Sequence, residues 1–157
     1  MNLSPLEEEF LRESNAIEEE YSVEALEDAK SAWEYAKANR QNINLDYTFG
    51  VHQRLLRRLN PKIAGKIRKV DVWASQEKCL APGEISAALN EWFGEANGFK
   101  SQEAIRQRHI RFLKIHPFGD GNGRTSRMLM NAERLNSGYP ILVICESESE
   151  KYFGWFK

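Results

Sequence analysis

One histidine, one carboxylate, three glycines and two arginines fall within the segment His116 to Arg127, which reads HPFGDGNGRTSR. Each residue type has a separate use if a nucleoside triphosphate sits here: a base, a metal ligand, a run of backbone N–H groups and two cations for phosphates. Gly119, Gly121 and Gly123 let N–H groups converge without Cβ obstruction. They stand at the start of a helix, whose unpaired donors and positive dipole end attract anions. Arg124 and Arg127 are three apart on that helix, and helical side chains lean toward the N-terminus, so both guanidinium groups point back at the glycine loop. Met128, Leu129, Ala132 and Leu135 form the apolar side, which leaves Arg124, Arg127, Asn131 and Arg134 as a polar stripe.

Asp120 lies inside the loop and would be repelled by phosphates unless a cation stands between them. Mg²⁺ is commonly held by one or two carboxylates together with substrate phosphates and water, so a single acid is enough. An Asx-turn or a helix cap is the structural alternative for the same residue. His116 precedes the turn and can accept a proton from an attacking hydroxyl. His52 and His109 read as structural, and Phe118 as a core residue that fixes the loop and leaves its neighbours pointing outward.

The elements that must position this segment are mostly helical. Ser4-Pro5-Leu6-Glu7 combines an N-cap, a proline at the first helical position and a capping-box glutamate, and opens a helix from about Pro5 to Glu20. Its apolar stripe is Leu6, Phe10, Ile17 and Tyr21, with Ser14 and Glu18 four apart on a neighbouring ridge. Ser22 caps a second helix to about Arg40, and a third spans about Asn44 to Leu59, ended by Asn60-Pro61. Between Gly65 and Pro82 the pattern turns to alternation at Ile67, Val70, Val72 and Trp73, the one hairpin expected. A helix opens near Pro82, another runs from Ser101 to about Ile115, and the helix after the glycine loop spans Asn122 to Asn136, closed by Gly138 and Pro140. Ile141 to Ile144 reads as strand or loop, and Glu148 to Phe156 as a short terminal helix.

Bulk composition bounds what this arrangement serves. The 157 residues carry 22 Lys+Arg against 23 Asp+Glu, a net charge of −1, so no field of one sign favours nucleic acid. Apolar residues make up 41% and charged residues 29%, and the mean hydropathy is −0.60, the profile of a globular protein with no membrane partner. No apolar run approaches membrane-spanning length, and the N-terminus MNLSPLEEEF has neither a basic nor an apolar leader region. Cys79 and Cys145 are the only cysteines and form no metal-type spacing, which fits a reducing compartment and a cytoplasmic location.

The segment from His116 resembles the signature of Fic-domain proteins, H-P-F-x-[D/E]-G-N-G-R-x-x-R, with every defined position filled. Asn60 to Gly65 before the hairpin, Pro82-Gly83-Glu84 after it, and Asn136 to Pro140 closing the following helix extend the likeness over most of the chain. The resemblance implies a mainly α fold, a helical bundle of the Fic type with a small β-hairpin flap. It implies one domain over 1–157, with an N-terminal inhibitory helix in 1–21 and the core in 22–157. It also implies transfer of AMP from ATP to a hydroxyl side chain of a protein. By position, His116 would be the general base, Asp120 the Mg²⁺ ligand, and Gly121, Asn122 and Gly123 the anion hole. Arg124 and Arg127 would hold the β- and γ-phosphates. The hairpin around Val70 to Leu80 would be a flap that pairs by strand addition with its target, another protein or the chain itself.

Gly123 favours nucleotidyl transfer, since the Doc-like branch that transfers phosphate usually has lysine there. Ser14-Asn15-Ala16-Ile17-Glu18 resembles the family's inhibitory motif [S/T]-x-x-x-E-[G/N], which implies that Glu18 pairs with Arg127 and displaces the γ-phosphate. Glu19 departs from that motif, where Gly or Asn is usual. Reversal of AMP transfer, phosphate transfer and a non-catalytic nucleotide-binding module stay open as alternatives. Tyr139 and Tyr152 are open between a nucleobase wall and core packing. A further DNA-binding module is not expected, nor is direct gene regulation.

Overall fold

A computed structural model describes residues 2–157. The helices are α1 (Pro5–Ile17), α2 (Val23–Ala38), α3 (Leu45–Leu56), α4 (Ile85–Gly94), α5 (Gln102–Ile115), α6 (Asn122–Asn136) and α7 (Ser149–Phe153). Between α3 and α4 two short antiparallel strands, β1 (Trp73–Ala74) and β2 (Glu77–Lys78), pair with Trp73 opposite Lys78 and Ala74 opposite Glu77. The mainly helical bundle with a small hairpin is thus the observed architecture.

Local chemistry explains most helix starts. The Ser4 hydroxyl accepts the Glu7 N–H, and the Glu7 carboxylate accepts the Ser4 N–H, a complete capping box. The side chains of Ser22, Asn44 and Ser101 cap α2, α3 and α5 by accepting the N–H groups of Ala25, Tyr47 and Ala104. Glu7 also takes the Trp33 indole N–H at 2.7 Å and an ion pair with Lys37, which docks α1 on α2. Burial pushes this carboxyl up, but Lys37, the Ser4 N–H and Trp33 outweigh it and hold its pKa down at about 2.

The main core gathers Leu11, Trp33, Val51, Leu55, Leu89 and Phe112 around α6, which contributes Met128, Leu129 and Ala132. A smaller cluster of Ile105, Met130, Ile144 and Tyr152 joins α5, α6 and the C-terminal segment. α6 is central: its polar stripe is buried along with most of its apolar side. Asn131 donates to the Leu142 carbonyl and accepts the Leu142 N–H, which clips 141–144 to α6 as a segment that is neither helix nor strand. Arg134 donates to the Pro140 carbonyl and to Gln102.

Several boundaries differ from the sequence reading for physical reasons. α1 stops at Ile17 with Glu18 as C-cap, because Glu19 takes a left-handed conformation at φ 58°. Tyr21 therefore leaves the helix and is 67% exposed, and Leu6 is also exposed, so the buried face is Phe10, Leu11, Ser14, Asn15 and Ala16. α3 ends at Leu56, three residues before Leu59. The hairpin is shorter than its alternation implied, and Val70 and Trp73 face solvent rather than a core.

Candidate active site

The loop between α5 and α6 is fixed from three sides. Asn122 is buried, and its side chain accepts the Phe118 N–H and donates to the Phe118 carbonyl, both at 2.9 Å. Phe118 is fully buried and stacks on the His52 ring at 3.7 Å. His52 accepts the Gly65 N–H at Nδ1, so its proton sits on Nε2, which donates to the Asp120 carbonyl at 2.8 Å. Burial lowers the His52 pKa to about 4, so the ring is a neutral strut. Gly121, at φ 80°, is the one place where the turn demands glycine twice over: a Cβ there would also sit 2.6 Å from Leu56.

α6 begins at Gly121 with no side-chain cap. Its first bond to the loop is Thr125 N–H to the Gly121 carbonyl, so the N–H groups of Asn122, Gly123 and Arg124 have no intrahelical acceptor and present an anion site. A Cβ on Gly123 would collide with the Glu18 carboxylate and lie 2.9 Å from Arg127 Nη1. The carboxylate of α1 and the guanidinium of α6 therefore meet directly over this opening.

Arg127 is 2% exposed and fully engaged. Its Nε donates to the Ser14 hydroxyl at 2.8 Å, and its Nη2 to the Ser14 carbonyl at 3.0 Å and to Glu18 at 2.8 Å. On the other side Nη1 donates to the Tyr152 hydroxyl at 3.3 Å, which in turn bonds His109 Nε2 at 2.7 Å, and His109 Nδ1 meets the Ser126 hydroxyl. Complete burial and the Arg127 charge lower the His109 pKa to about 3.

His116 caps α5 in a left-handed conformation at φ 51°. Its Nδ1 lies 3.0 Å from the Leu113 carbonyl, which can only accept, so Nδ1 carries the proton and Nε2 keeps a free lone pair. Burial holds the ring below its ordinary pKa, with the Arg68 charge acting in the same direction, so it is neutral at pH 7. Asp120 accepts the N–H of the next residue, Gly121, on Oδ1, which is neither an Asx-turn nor a helix cap, while its side chain stays 63% exposed with Oδ2 3.9 Å from Arg124. A metal would fit this carboxylate only with ligands from elsewhere, since no group of three or more His, Cys, Asp or Glu is poised for one among the described residues. Mg²⁺, which completes its shell with phosphate oxygens and water, suits such a donor.

A cleft of about 1130 Å³ is lined by Glu18, His116, Asp120, Gly121, Asn122, Gly123 and Arg127, with the hairpin residues 77–81 on one side and Tyr152, Phe153 and Phe156 on another. Two expected site residues do not line the cleft: Ser14, whose hydroxyl and carbonyl hold Arg127, and Arg124. Arg124 lies beneath the loop, 3% exposed, with its buried Nε lacking a partner. Tyr139 is elsewhere, beside Phe99 and Arg134. Arg68 and the Ser126–His109–Tyr152 chain were not foreseen; their meeting depends on tertiary packing that no local spacing announces.

Residues 42–133 match the sequence model of the Fic/DOC family. The chain belongs to this family. It is 29% identical over 160 residues to the protein adenylyltransferase Fic of Culex quinquefasciatus, covering 98% of this chain and 32% of that protein. Against the protein adenylyltransferase Fic of Aedes aegypti the identity is 28%, with the same coverage. The chain thus spans about a third of the length of these curated relatives. A Fic domain containing signaling protein from Bacteroides thetaiotaomicron superposes with a TM-score of 0.82 at 22% identity, over 95% of this chain and 69% of that one. Fic-1 (aa134–508) from C. elegans gives 0.81 at 20% identity, over 97% and 55%. At such identities the likeness speaks for the fold.

Proposed function

We propose that the protein transfers AMP from ATP to a hydroxyl side chain of a target protein, and that Glu18 restrains the reaction. The observation that carries this reading is the meeting of Glu18 with Arg127 over Gly123, at the uncapped start of α6 and in the same cleft as the free lone pair of His116. The adenylyltransferase relatives, aligned over nearly the whole chain, support the choice of reaction.

In the proposed reaction, His116 Nε2 takes the proton of the acceptor hydroxyl as its oxygen bonds to the α-phosphorus, and pyrophosphate leaves as the bond to the bridging oxygen breaks. The first-turn N–H groups of α6 face the phosphates and Arg127 holds the γ-phosphate, while Arg124, buried with its Nε unpaired, takes the β-phosphate only by turning into the cleft. Mg²⁺ at Asp120 would neutralise phosphate charge. Both Nη2 hydrogens of Arg127 are taken, by the Ser14 carbonyl and by Glu18, so a phosphate must displace the carboxylate and the ion pair competes with productive binding. The hairpin 70–80 borders the cleft and offers its strand edge to an extended acceptor segment, from another protein or from this chain. The two free cysteines accord with a cytoplasmic setting.

Incubation with ATP labelled at the α- or the γ-phosphate tests this. Label from α-³²P-ATP alone, stronger for Glu18→Gly and lost for His116→Ala, is the expected result. Label from the γ-phosphate would instead assign phosphate transfer.

A further inference from the structure

We propose that Arg68 is a positioning residue that holds the flap and His116 at a fixed separation, so that an acceptor strand paired to the flap presents its hydroxyl to Nε2. This rests on the reading of the site as an AMP transferase. Arg68 is buried at 5% exposure and its Nε, Nη1 and Nη2 all donate to backbone carbonyls, so it is not a substrate ligand. Its guanidinium donates in every direction: Nε to the His116 carbonyl at 2.6 Å, Nη2 to the Ile115 carbonyl at 3.1 Å, Nη1 to the Val70 carbonyl at 2.8 Å and Nη2 again to the Leu80 carbonyl. Its own N–H donates to the Pro117 carbonyl at 3.0 Å.

Position 68 therefore takes three consecutive carbonyls, 115, 116 and 117, where α5 ends in the left-handed turn that carries His116. Carbonyls at a helix end lack intrahelical partners, and a cation there is favourable. The same side chain takes the two carbonyls at the root of the hairpin, one from each arm. Within the hairpin the Cys79 N–H bonds to the Val72 carbonyl and Lys78 pairs with Asp71, so 70–80 is a small unit of its own. Val70 and Trp73 are exposed, and Leu80, at its root, packs against the core. One planar fork thus joins the turn that orients the base to the element that borders the acceptor side. Lysine has three donors on a point charge and cannot span both partners.

The test uses Arg68→Gln and Arg68→Lys, each made in the Glu18→Gly protein. Amide hydrogen exchange in 70–80 should accelerate by at least about tenfold while α2 and α3 stay protected. The kcat for AMP transfer should fall by about 100-fold, the scale of an ångström of misplacement. Affinity for ATP by calorimetry should stay within about threefold, since the phosphate site is untouched. The lysine variant keeps the charge and should show the same split. Unchanged exchange in 70–80, unchanged kcat, or ATP affinity that falls in step with kcat would each overturn the proposal. If the Glu18→Gly parent itself fails to transfer AMP, the proposed function falls, and the exchange measurement alone decides whether Arg68 holds the flap.

Discussion

His116, Glu18 and Glu19 carry the account at the level of single residues. Because burial holds His116 below its ordinary pKa, the neutral base persists below pH 6.5, and AMP transfer by Glu18→Gly protein should lose rate only on the acid side of that value. A pH–rate profile falling already between pH 7 and 8 would contradict this. Glu19 occupies a left-handed position, which costs a non-glycine residue about 1 kcal/mol. Glu19→Gly should therefore raise the melting temperature by about 2–4 °C. It should also lower basal labelling, since a firmer end to α1 holds Glu18 more tightly on Arg127. A left-handed residue at position 19 gives a physical reason for Gly or Asn after the glutamate in the motif that 14–18 resembles, and that backbone angle was not legible in the sequence. Gly123 was read as a loop glycine and, from the family pattern, as a sign of nucleotidyl transfer; the place a Cβ would take there is occupied by the Glu18 carboxylate, so any side chain excludes the carboxylate from its present place.

Among elements, the loop from His116 to Asn122 matters most, and its supports are polar and buried. Asn122→Ala would leave the Phe118 N–H and carbonyl without partners, at a cost of about 1–3 kcal/mol for each group left unsatisfied. The expected outcome is a lower melting temperature together with weaker ATP binding, and a variant with native values for both would show that the clamp is dispensable. Helix starts at Ser4, Ser22, Asn44 and Ser101 were legible, because capping is local chemistry. The end of α1 was not, because no Gly or Asn marks it. The polar stripe of α6 was visible as a pattern, but its burial was not, since each partner arrives from a distant segment: Ser14 and Tyr152 for Arg127, Leu142 for Asn131, Gln102 for Arg134.

Over the whole molecule, α1 is a wall of the core and ends at the carboxylate that pairs with Arg127, so under the proposed function stability and restraint share contacts. His52 and His109 are neutral and have pKa values of about 4 and 3, below the ordinary 6.5. A lowered histidine pKa means that the unfolded chain binds more protons, so stability is full above pH 6.5 and falls as pH drops from there toward 4 and 3. Glu7, held at about 2, adds a loss that begins below its ordinary 4.5. Thermal unfolding followed from pH 7.5 to 3.5 should show a steady decline in melting temperature, and a flat curve would contradict the buried neutral rings. The central claim is that one cleft transfers AMP under restraint by its own glutamate. It is tested most directly by comparing α- and γ-labelled ATP on the native, Glu18→Gly and Glu18→Gly/His116→Ala proteins. The account predicts α-label alone, weak for the native protein, strong for Glu18→Gly and absent from the double variant; γ-label, or equal α-label in all three, would contradict it.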